Sequence, residues 1–158
     1  MKRRVWLTVI LIIIAILLVG CSKGKKVEFK EFYSQAIGFS EKDEMFKPIP
    51  EDELLMINNE EYTKFKDKYF TPRKIPIASP DKEKAVVFIQ MPGDETTAPV
   101  FKISKITAVD GKLVVDLKKS GEANLSSSEG FTGIFKWVVL AEIDKTEITE
   151  NMEIVIKK

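Results

Sequence analysis

The sequence lacks histidine altogether and contains a single cysteine, Cys21, among its 158 residues. Without histidine, a Ser-His-Asp triad and a histidine-based metal site are both excluded. The chain also has no P-loop and no glycine-rich dinucleotide-binding motif. These absences predict a protein that is not an enzyme and that uses neither a metal ion nor an organic cofactor.

An excess of charge of one sign is also lacking. The chain has 25 basic and 24 acidic residues. The first 20 residues contain three basic side chains and no acidic one, so residues 21–158 carry 22 basic and 24 acidic side chains. Proteins that bind nucleic acid usually present a large basic field, because neutralising phosphates supplies much of their affinity. We therefore expect no nucleic acid partner.

The chain begins with a short basic segment and an apolar run. Lys2, Arg3 and Arg4 precede residues 5–19, which are apolar except for Thr8. A basic start, an apolar run and a small residue after it are the parts of a secretory signal. The run is shorter than the roughly 20 residues of a typical transmembrane helix. Its length alone still leaves an uncleaved membrane helix open.

The apolar run ends in the residues Leu18-Val19-Gly20-Cys21. This stretch resembles the lipobox of bacterial lipoproteins. The resemblance implies that the Cys21 thiol takes a diacylglycerol and that a peptidase removes residues 1–20 as a signal peptide. Two acyl chains give stable attachment where one is marginal. We therefore expect a protein that is anchored through Cys21 to the extracytoplasmic face of the cell membrane.

Residues 21–26 are predicted to form the lipidated cysteine and a short tether, followed by a single extracytoplasmic domain at 27–158. Lys23, Lys25 and Lys26 have two open interpretations. They would lie at the headgroups, where each adds about 1 kcal/mol to binding of an anionic membrane, or they would form a solvated spacer. Because the lipid occupies Cys21, the domain has no disulfide and depends on its core for stability.

The clearest helix signal follows Asn58, a residue that caps helices well. Glu61 stands three residues later, at the spacing of a capping box. One face carries an aromatic stripe, formed by Tyr62, Phe65 and Tyr69. This pattern predicts a helix near residues 59–70. The stripe packs on a sheet or stacks on a ligand, and packing is the commoner use.

Strand-like runs make up most of the remaining domain. They lie at residues 27–33, 85–91, 100–109, 112–118, 134–143 and 150–158. Asp110-Gly111 predicts a two-residue hairpin turn, because both positions of such a turn need φ > 0. A change of face near Ser104-Lys105 predicts a β-bulge. The polar stretches at 38–50 and 120–130 are predicted to be irregular.

One early helix followed by about five strands with short turns predicts an α+β or mostly β domain. We expect antiparallel strands in a small sandwich or half-open barrel, with the helix closing one side. The predicted core consists of Phe65, Tyr69, Val87, Ile89, Val115, Leu117, Trp137, Val139 and Ile154.

Three polar groupings are the remaining candidates for chemistry. The serines at 126–128 could supply a nucleophile to a lysine base, although such a cluster is typical of a flexible loop. The acidic residues at 41–44 and 51–53 could bind calcium, but they lack EF-hand spacing and are typical of a solvated face. No spacing identifies a carboxylate pair for glycoside hydrolysis. Cys21 is therefore the one site residue that the sequence assigns.

Four stretches between residues 59 and 145 follow one another in a distinctive order: NEEYTKFKDKYF, KAVVFIQMPGDETT, VFKISKITAVDGKLVVDLKKS and IFKWVVLAEIDK. This order is similar to the PrcB C-terminal-like domain of bacterial envelope lipoproteins and covers just over half of the chain. That family has a Thr-Gly-Gly-aromatic turn after its first strand, where this chain has Thr97-Ala98-Pro99-Val100-Phe101. The resemblance implies a non-enzymatic accessory subunit of a surface protease complex and identifies no catalytic residue.

The sequence as a whole predicts a lipid-anchored, non-catalytic binding or accessory protein of the bacterial cell envelope, with an envelope protein as its partner. The alternative is a small-ligand carrier or a cell-wall enzyme that uses only carboxylates. A deep apolar pocket with converging polar groups would favour the alternative. A flat or shallow surface with one exposed apolar patch would favour the binding protein.

Overall fold

The computed structural model describes residues 24–40, 49–125 and 133–158. Within these ranges the chain forms eight strands, one α-helix and a short 3-10 turn. The strands are β1 (Lys25–Lys26), β2 (Phe29–Phe39), β3 (Leu54–Met56), β4 (Lys84–Pro92), β5 (Thr97–Val109), β6 (Lys112–Asn124), β7 (Ile134–Asp144) and β8 (Glu153–Lys157). The helix α1 is Asn59–Tyr69, and the 3-10 turn is Lys145–Glu147.

The strands form two four-stranded sheets. Sheet A has the order β1-β5-β6-β8, and sheet B has the order β2-β7-β4-β3. The two sheets pack face to face, and α1 packs on the other face of sheet B. The predicted mostly β fold, with a sandwich and one helix closing a side, is therefore confirmed, as is the sequence of five strands after the helix.

The prediction that all strands are antiparallel is wrong for one pair. β8 runs parallel to β6, with Leu113 opposite Ile154 and Val115 opposite Ile156. The reason is that the intervening β7 belongs to sheet B, so the chain crosses to the other sheet and returns before β8 begins. A direct hairpin from β6 would have made β8 antiparallel.

The main core lies between the two sheets. Its buried members are Val27, Ala85, Val87, Ile89, Met91, Phe101, Ile103, Ile106, Ala108, Leu113, Val115, Leu117, Val139, Ala141 and Ile143. Five predicted core residues are among them. Trp137 and Ile154 are half-buried and pack against this core from its margin. Fully burying one aliphatic side chain contributes about 1.5–3 kcal/mol, so this cluster is a main source of stability.

A second core lies between sheet B and α1. Its buried members are Tyr33, Ile37, Phe39, Ile49, Met56, Tyr62, Phe65, Phe70, Val86, Phe88, Val138 and Leu140. Consecutive residues of β4 and β7 point into different cores, because side chains alternate along a strand. This explains why both strands are apolar on both faces, as predicted for interior strands. Phe65, and the half-buried Tyr69, belong here rather than to the core between the sheets.

The helix begins as the sequence predicted. The Asn58 side chain accepts a hydrogen bond of 2.9 Å from the Glu61 amide. Glu61 in turn accepts from the Ile57 amide at 2.9 Å, one residue earlier than in an ideal capping box. The Phe65 ring lies 5.1 Å from the Phe88 ring of sheet B, measured between centroids. The aromatic stripe therefore packs on a sheet, and the ligand-stacking interpretation is wrong.

Two side chains from sheet B close one edge of the sandwich. The Glu31 carboxylate accepts a hydrogen bond from the Ile103 amide, and the Trp137 indole N–H donates to the Phe101 carbonyl at 3.0 Å. Both backbone groups belong to β5. The two-residue β1 pairs only with Thr107 and Ala108, so it does not extend along this edge as far as Phe101 and Ile103. An unpaired sheet edge exposes such groups to unwanted strand pairing, so these bonds protect it.

The β5–β6 hairpin turns at Asp110-Gly111, as predicted. Asp110 has φ 49° and Gly111 has φ 73°, which is the signature of a type I′ turn. The expected bulge is present, since the pairing register shifts between Ile103 and Lys105. The predicted loop at 120–130 is wrong for residues 120–124, which continue β6 and pair with the start of β5. The remaining loop residues from 126 lie outside the described ranges.

Gly111→Val is expected to lower the free energy of unfolding by about 1–3 kcal/mol, the range for strained backbone. No atom lies within 4 Å of a Cβ built at Gly111, so the cost arises from its positive φ and not from a collision. Gly121→Val is the matched control, because its site is equally open and its φ is not positive. Equal melting temperatures for the two variants would contradict the type I′ turn.

Candidate functional site

The segment from Gly24 to Glu28 joins the predicted anchor to the domain. Residues 25 and 26 were predicted to belong to a tether, but they form β1 at the edge of sheet A, opposite Ala108 and Thr107. The Val27 amide extends this pairing with a 3.0 Å hydrogen bond to the Ile106 carbonyl, and the Val27 side chain is buried between the sheets. Sheet A therefore includes residues that were predicted to belong to the tether. Cys21 itself lies outside the described residues.

Gly24 is positioned by a close approach to β5. A Cβ atom built at Gly24 would lie 2.3 Å from the Thr107 Cγ2 atom and 3.0 Å from the Val109 Cβ atom. Real Cβ atoms do not approach other heavy atoms this closely, so only glycine fits without movement. Sequence reasoning missed this requirement, since the contact depends on which strand lies beside the segment.

Ion pairs fix the charged side chains of this segment. The Lys25 ammonium lies 2.9 Å from both Glu147 carboxylate oxygens, and the Lys26 ammonium lies 2.7 Å from Glu28. All four side chains are at least partly exposed, so each pair contributes at most about 1 kcal/mol. The Lys25–Glu147 pair holds the segment against the 3-10 turn that carries Glu147, whereas the Lys26–Glu28 pair lies within the segment. These two lysines are solvated, as one interpretation expected, but they belong to a strand and not to a spacer.

Asp144 organises the 3-10 turn beside this segment. Its side chain accepts hydrogen bonds from the Thr146 hydroxyl and from the Thr146 amide, the latter at 2.9 Å, and the Lys84 ammonium lies 3.4 Å away. These contacts lower the pKa of Asp144 to about 2, chiefly through the hydrogen bonds from Thr146. The carboxylate is therefore ionised throughout the physiological pH range and acts as a fixed cap of the turn. A group that transfers protons would instead change its charge in this range.

Two open clefts flank the Lys25–Glu147 ion pair. The first has a volume of about 270 Å³ and is lined by Gly24, Lys25, Ala108, Val109, Asp110, Gly111, Glu147 and Met152. The second has a volume of about 320 Å³ and is lined by Lys25, Lys26, Val27, Glu28, Asp144, Thr146 and Glu147. Ligand pockets for small molecules usually occupy about 300–1,000 Å³ and are mostly apolar. The first cleft is smaller than this range and the second lies at its lower end, and both are open to solvent, so neither is a deep, enclosed ligand pocket.

The described part of the chain contains no group of three or more acidic or cysteine side chains that could hold a metal ion. The acidic residues at 51–53 lie in a bend before β3, where the Glu51 carbonyl accepts a 2.7 Å hydrogen bond from Gln90. The acidic residues at 41–44 and the serines at 126–128 fall outside the described ranges. Of these candidates, residues 51–53 alone lie in the described part of the chain, and they belong to no metal-binding group there.

Gly24→Ala is expected to detach β1 from β5, because the new methyl group would collide with Thr107. We expect hydrogen exchange of the Val27 amide to accelerate at least tenfold, corresponding to about 1.4 kcal/mol of lost protection. Thr107→Ala removes the colliding Cγ2 atom, so the double variant should recover slow exchange. Fast exchange in the double variant, or unchanged exchange in Gly24→Ala, would contradict this account.

No helix among the described residues is long and apolar enough to span a membrane. Comparisons of the chain with protein-family models, with curated proteins and with solved structures find no match. The lipobox and the PrcB-like order of elements therefore stay predictions that rest on the sequence.

Proposed function

We propose that the protein is a lipid-anchored binding or accessory protein of the cell envelope, with no enzymatic activity of its own. The observation that carries this proposal is the stretch Leu18-Val19-Gly20-Cys21, which directly follows a basic start and an apolar run. The anchor is a diacylglycerol on Cys21, and the domain lies on the extracytoplasmic face of the membrane. Its partner is an envelope protein, with which it forms a surface complex.

The position of β1 supports this arrangement. Gly24 is three residues after Cys21, and a chain of three residues spans at most about 11 Å. The edge of sheet A would therefore be held close to the lipid. An attachment so near to a sheet limits the orientations of the domain, which suits a protein that presents a fixed surface to a membrane-bound partner.

The chemistry of the clefts supports a non-catalytic role. The lysines at the Lys25–Glu147 clefts are held in ion pairs, and Asp144 is held ionised by its hydrogen bonds. Catalytic acids and bases usually have a pKa near the working pH. The pKa of Asp144 lies far below that pH. The ligand-carrier alternative requires a deeper and more apolar pocket than either cleft provides.

The proposal is tested by affinity purification of the full chain, tagged after Lys158, from detergent-solubilised membranes. We expect one envelope protein to be recovered in comparable amount, and we expect a tag on that protein to recover this chain. Purification of an unrelated tagged lipoprotein from the same cells is the control. Failure to recover a specific partner in several detergents, or degradation of cell wall by the purified chain, would contradict the proposal.

A further inference from the structure

The outer face of sheet A carries a cluster of lysines that becomes visible only from the strand register. Phe101 and Ile103 are buried between the sheets, so the intervening Lys102 points outward. Leu117 is likewise buried, and Lys118 after it points outward. Lys102 and Lys118 are direct cross-strand partners, so their side chains lie side by side on this face.

The next row of the same face adds two more lysines. Lys105 lies opposite Asp116 on β6, and Asp116 in turn lies beside Lys157 on β8. Cross-strand neighbours are about 5 Å apart, and successive rows on one face about 7 Å apart. Four ammonium groups and one carboxylate are therefore concentrated in a small area. We call Lys102, Lys105, Lys118 and Lys157 the lysine cluster.

The lysine cluster keeps an excess of positive charge, because four lysines surround a single carboxylate, that of Asp116. None of its four lysines forms an ion pair with another described residue, whereas Lys26 and Lys112 are paired with Glu28 and Glu153. Like charges directly opposite each other destabilise a sheet. No described helix or strand covers this face. The Lys102–Lys118 pair is therefore unfavourable in isolation, and anionic groups that lie against this face would relieve the repulsion.

The attachment point determines which anionic surface is nearest. The chain leaves sheet A at Gly24, on the same sheet that carries the lysine cluster, and Cys21 lies within about 11 Å of it along the chain. Electrostatic attraction is felt over a Debye length of about 8–10 Å. Stacked layers are about 10 Å apart, so α1 lies roughly 20 Å from the outer face of sheet A. Sheet A is the layer that the tether brings to the membrane.

We propose that the outer face of sheet A lies on the membrane to which Cys21 is anchored, with the lysine cluster binding the phosphates of anionic phospholipids. This inference rests on the proposed lipid anchor. It also moves the expected headgroup contacts from Lys25 and Lys26, which have acidic partners in the domain, to the lysine cluster. The helix side of sheet B then faces away from the membrane and is left for the protein partner.

The test uses the full chain reconstituted in vesicles of phosphatidylcholine, with or without about 30 mol % phosphatidylglycerol, a level that gives a strongly anionic surface. A fluorophore on Ser104→Cys reports on the outer face of sheet A, and one on Glu60→Cys reports on α1. Both positions are exposed. We expect phosphatidylglycerol to shield the fluorophore at position 104 from acrylamide, and not the one at position 60. About 0.5 M salt should abolish the shielding, because it shortens the Debye length to roughly 4 Å.

Replacing Lys102, Lys105 and Lys118 by glutamine should lower the ratio of shielded to unshielded protein on the order of 100-fold, at about fivefold per lysine. The matched control replaces Lys64, Lys66 and Lys68 of α1, which removes the same charge from the opposite layer and should leave the shielding unchanged. Equal shielding at positions 104 and 60, or equal effects of the two triple variants, would overturn the proposal. Shielding by soluble polyphosphate but not by the vesicles would assign the face to a soluble polyanion and would also overturn it.

The intact mass of the same preparation separates this inference from the anchor proposal. A diacylglycerol on Cys21 with no shielding at position 104 contradicts the membrane-facing orientation alone. Absence of the diacylglycerol contradicts the anchor, whatever the fluorophore reports.

Discussion

Cys21→Ser is expected to abolish attachment of the diacylglycerol while leaving the fold intact. A serine hydroxyl cannot replace the thiol as the acceptor of the lipid in the proposed processing. Each buried methylene contributes about 0.8 kcal/mol to membrane binding, so the loss of two acyl chains removes the anchor almost completely. The thermal midpoint should not change, because Cys21 is the only cysteine and forms no intramolecular disulfide.

The measurement is incorporation of labelled palmitate, followed by a carbonate wash of the membranes. The wild-type chain should carry the label, and Cys21→Ser should not. A double variant, Cys21→Ser with Ser22→Cys, is the matched control, since it keeps one thiol but moves it out of the lipobox. Labelling of Cys21→Ser, or equal labelling of the double variant and the wild type, would show that the lipobox assignment is wrong.

The sequence was most informative where a single local pattern determines the structure. The Asn58 cap, the Asp110-Gly111 turn and the bulge near Lys105 each depend on residues close together in the chain, and each was predicted. The apolar run in β4 predicted an interior strand for the same reason, because a strand with apolar side chains on both faces has to be covered on both.

Features that depend on contacts between distant segments could not be predicted. Residues 120–124 have the composition of a loop, yet they form a strand because the β5–β6 pairing continues beyond a second register shift, between Val100 and Phe101. Glu31 and Trp137 belong to the opposite sheet, and their side chains bond to the backbone at the edge of β5 and so protect it. Trp137 was predicted to be a fully buried core residue, but this role keeps it at the margin, where its replacement by alanine should cost less than the 3–5 kcal/mol of a buried aromatic.

The candidate site was even less accessible from the sequence. Gly24 is constrained by Thr107, more than eighty positions away in the chain, and the lysine cluster combines residues from three strands. The position of Lys102 between two apolar residues indicates that it points outward. The sequence could not show that Lys118 lies opposite to it. Conversely, the lipidation of Cys21 is predicted from the sequence alone, because a lipobox is a linear stretch whose recognition would need no tertiary contact.

The second large expected effect concerns Phe88, at the centre of sheet B. Phe88 is completely buried and lies between Leu54 on β3 and Leu140 on β7, with the Phe65 ring of α1 above it. Phe88→Ala should therefore leave a cavity that touches three elements at once. We expect the free energy of unfolding to fall by about 3–5 kcal/mol, and the melting temperature by roughly 10–20 °C for a domain of this size.

Urea titrations of Phe88→Ala, Phe88→Leu and a surface control measure this effect. Phe88→Leu keeps most of the volume and should cost about 1–2 kcal/mol. The control is Ile134→Ala in β7, because Ile134 is 43% exposed and should change the stability by less than about 0.5 kcal/mol. The order of stability should therefore be the wild type and Ile134→Ala first, then Phe88→Leu, then Phe88→Ala. If Phe88→Ala melted within about 2 °C of Ile134→Ala, α1 would not pack on sheet B, and the helix side would lose the rigid support that a binding surface for a partner requires.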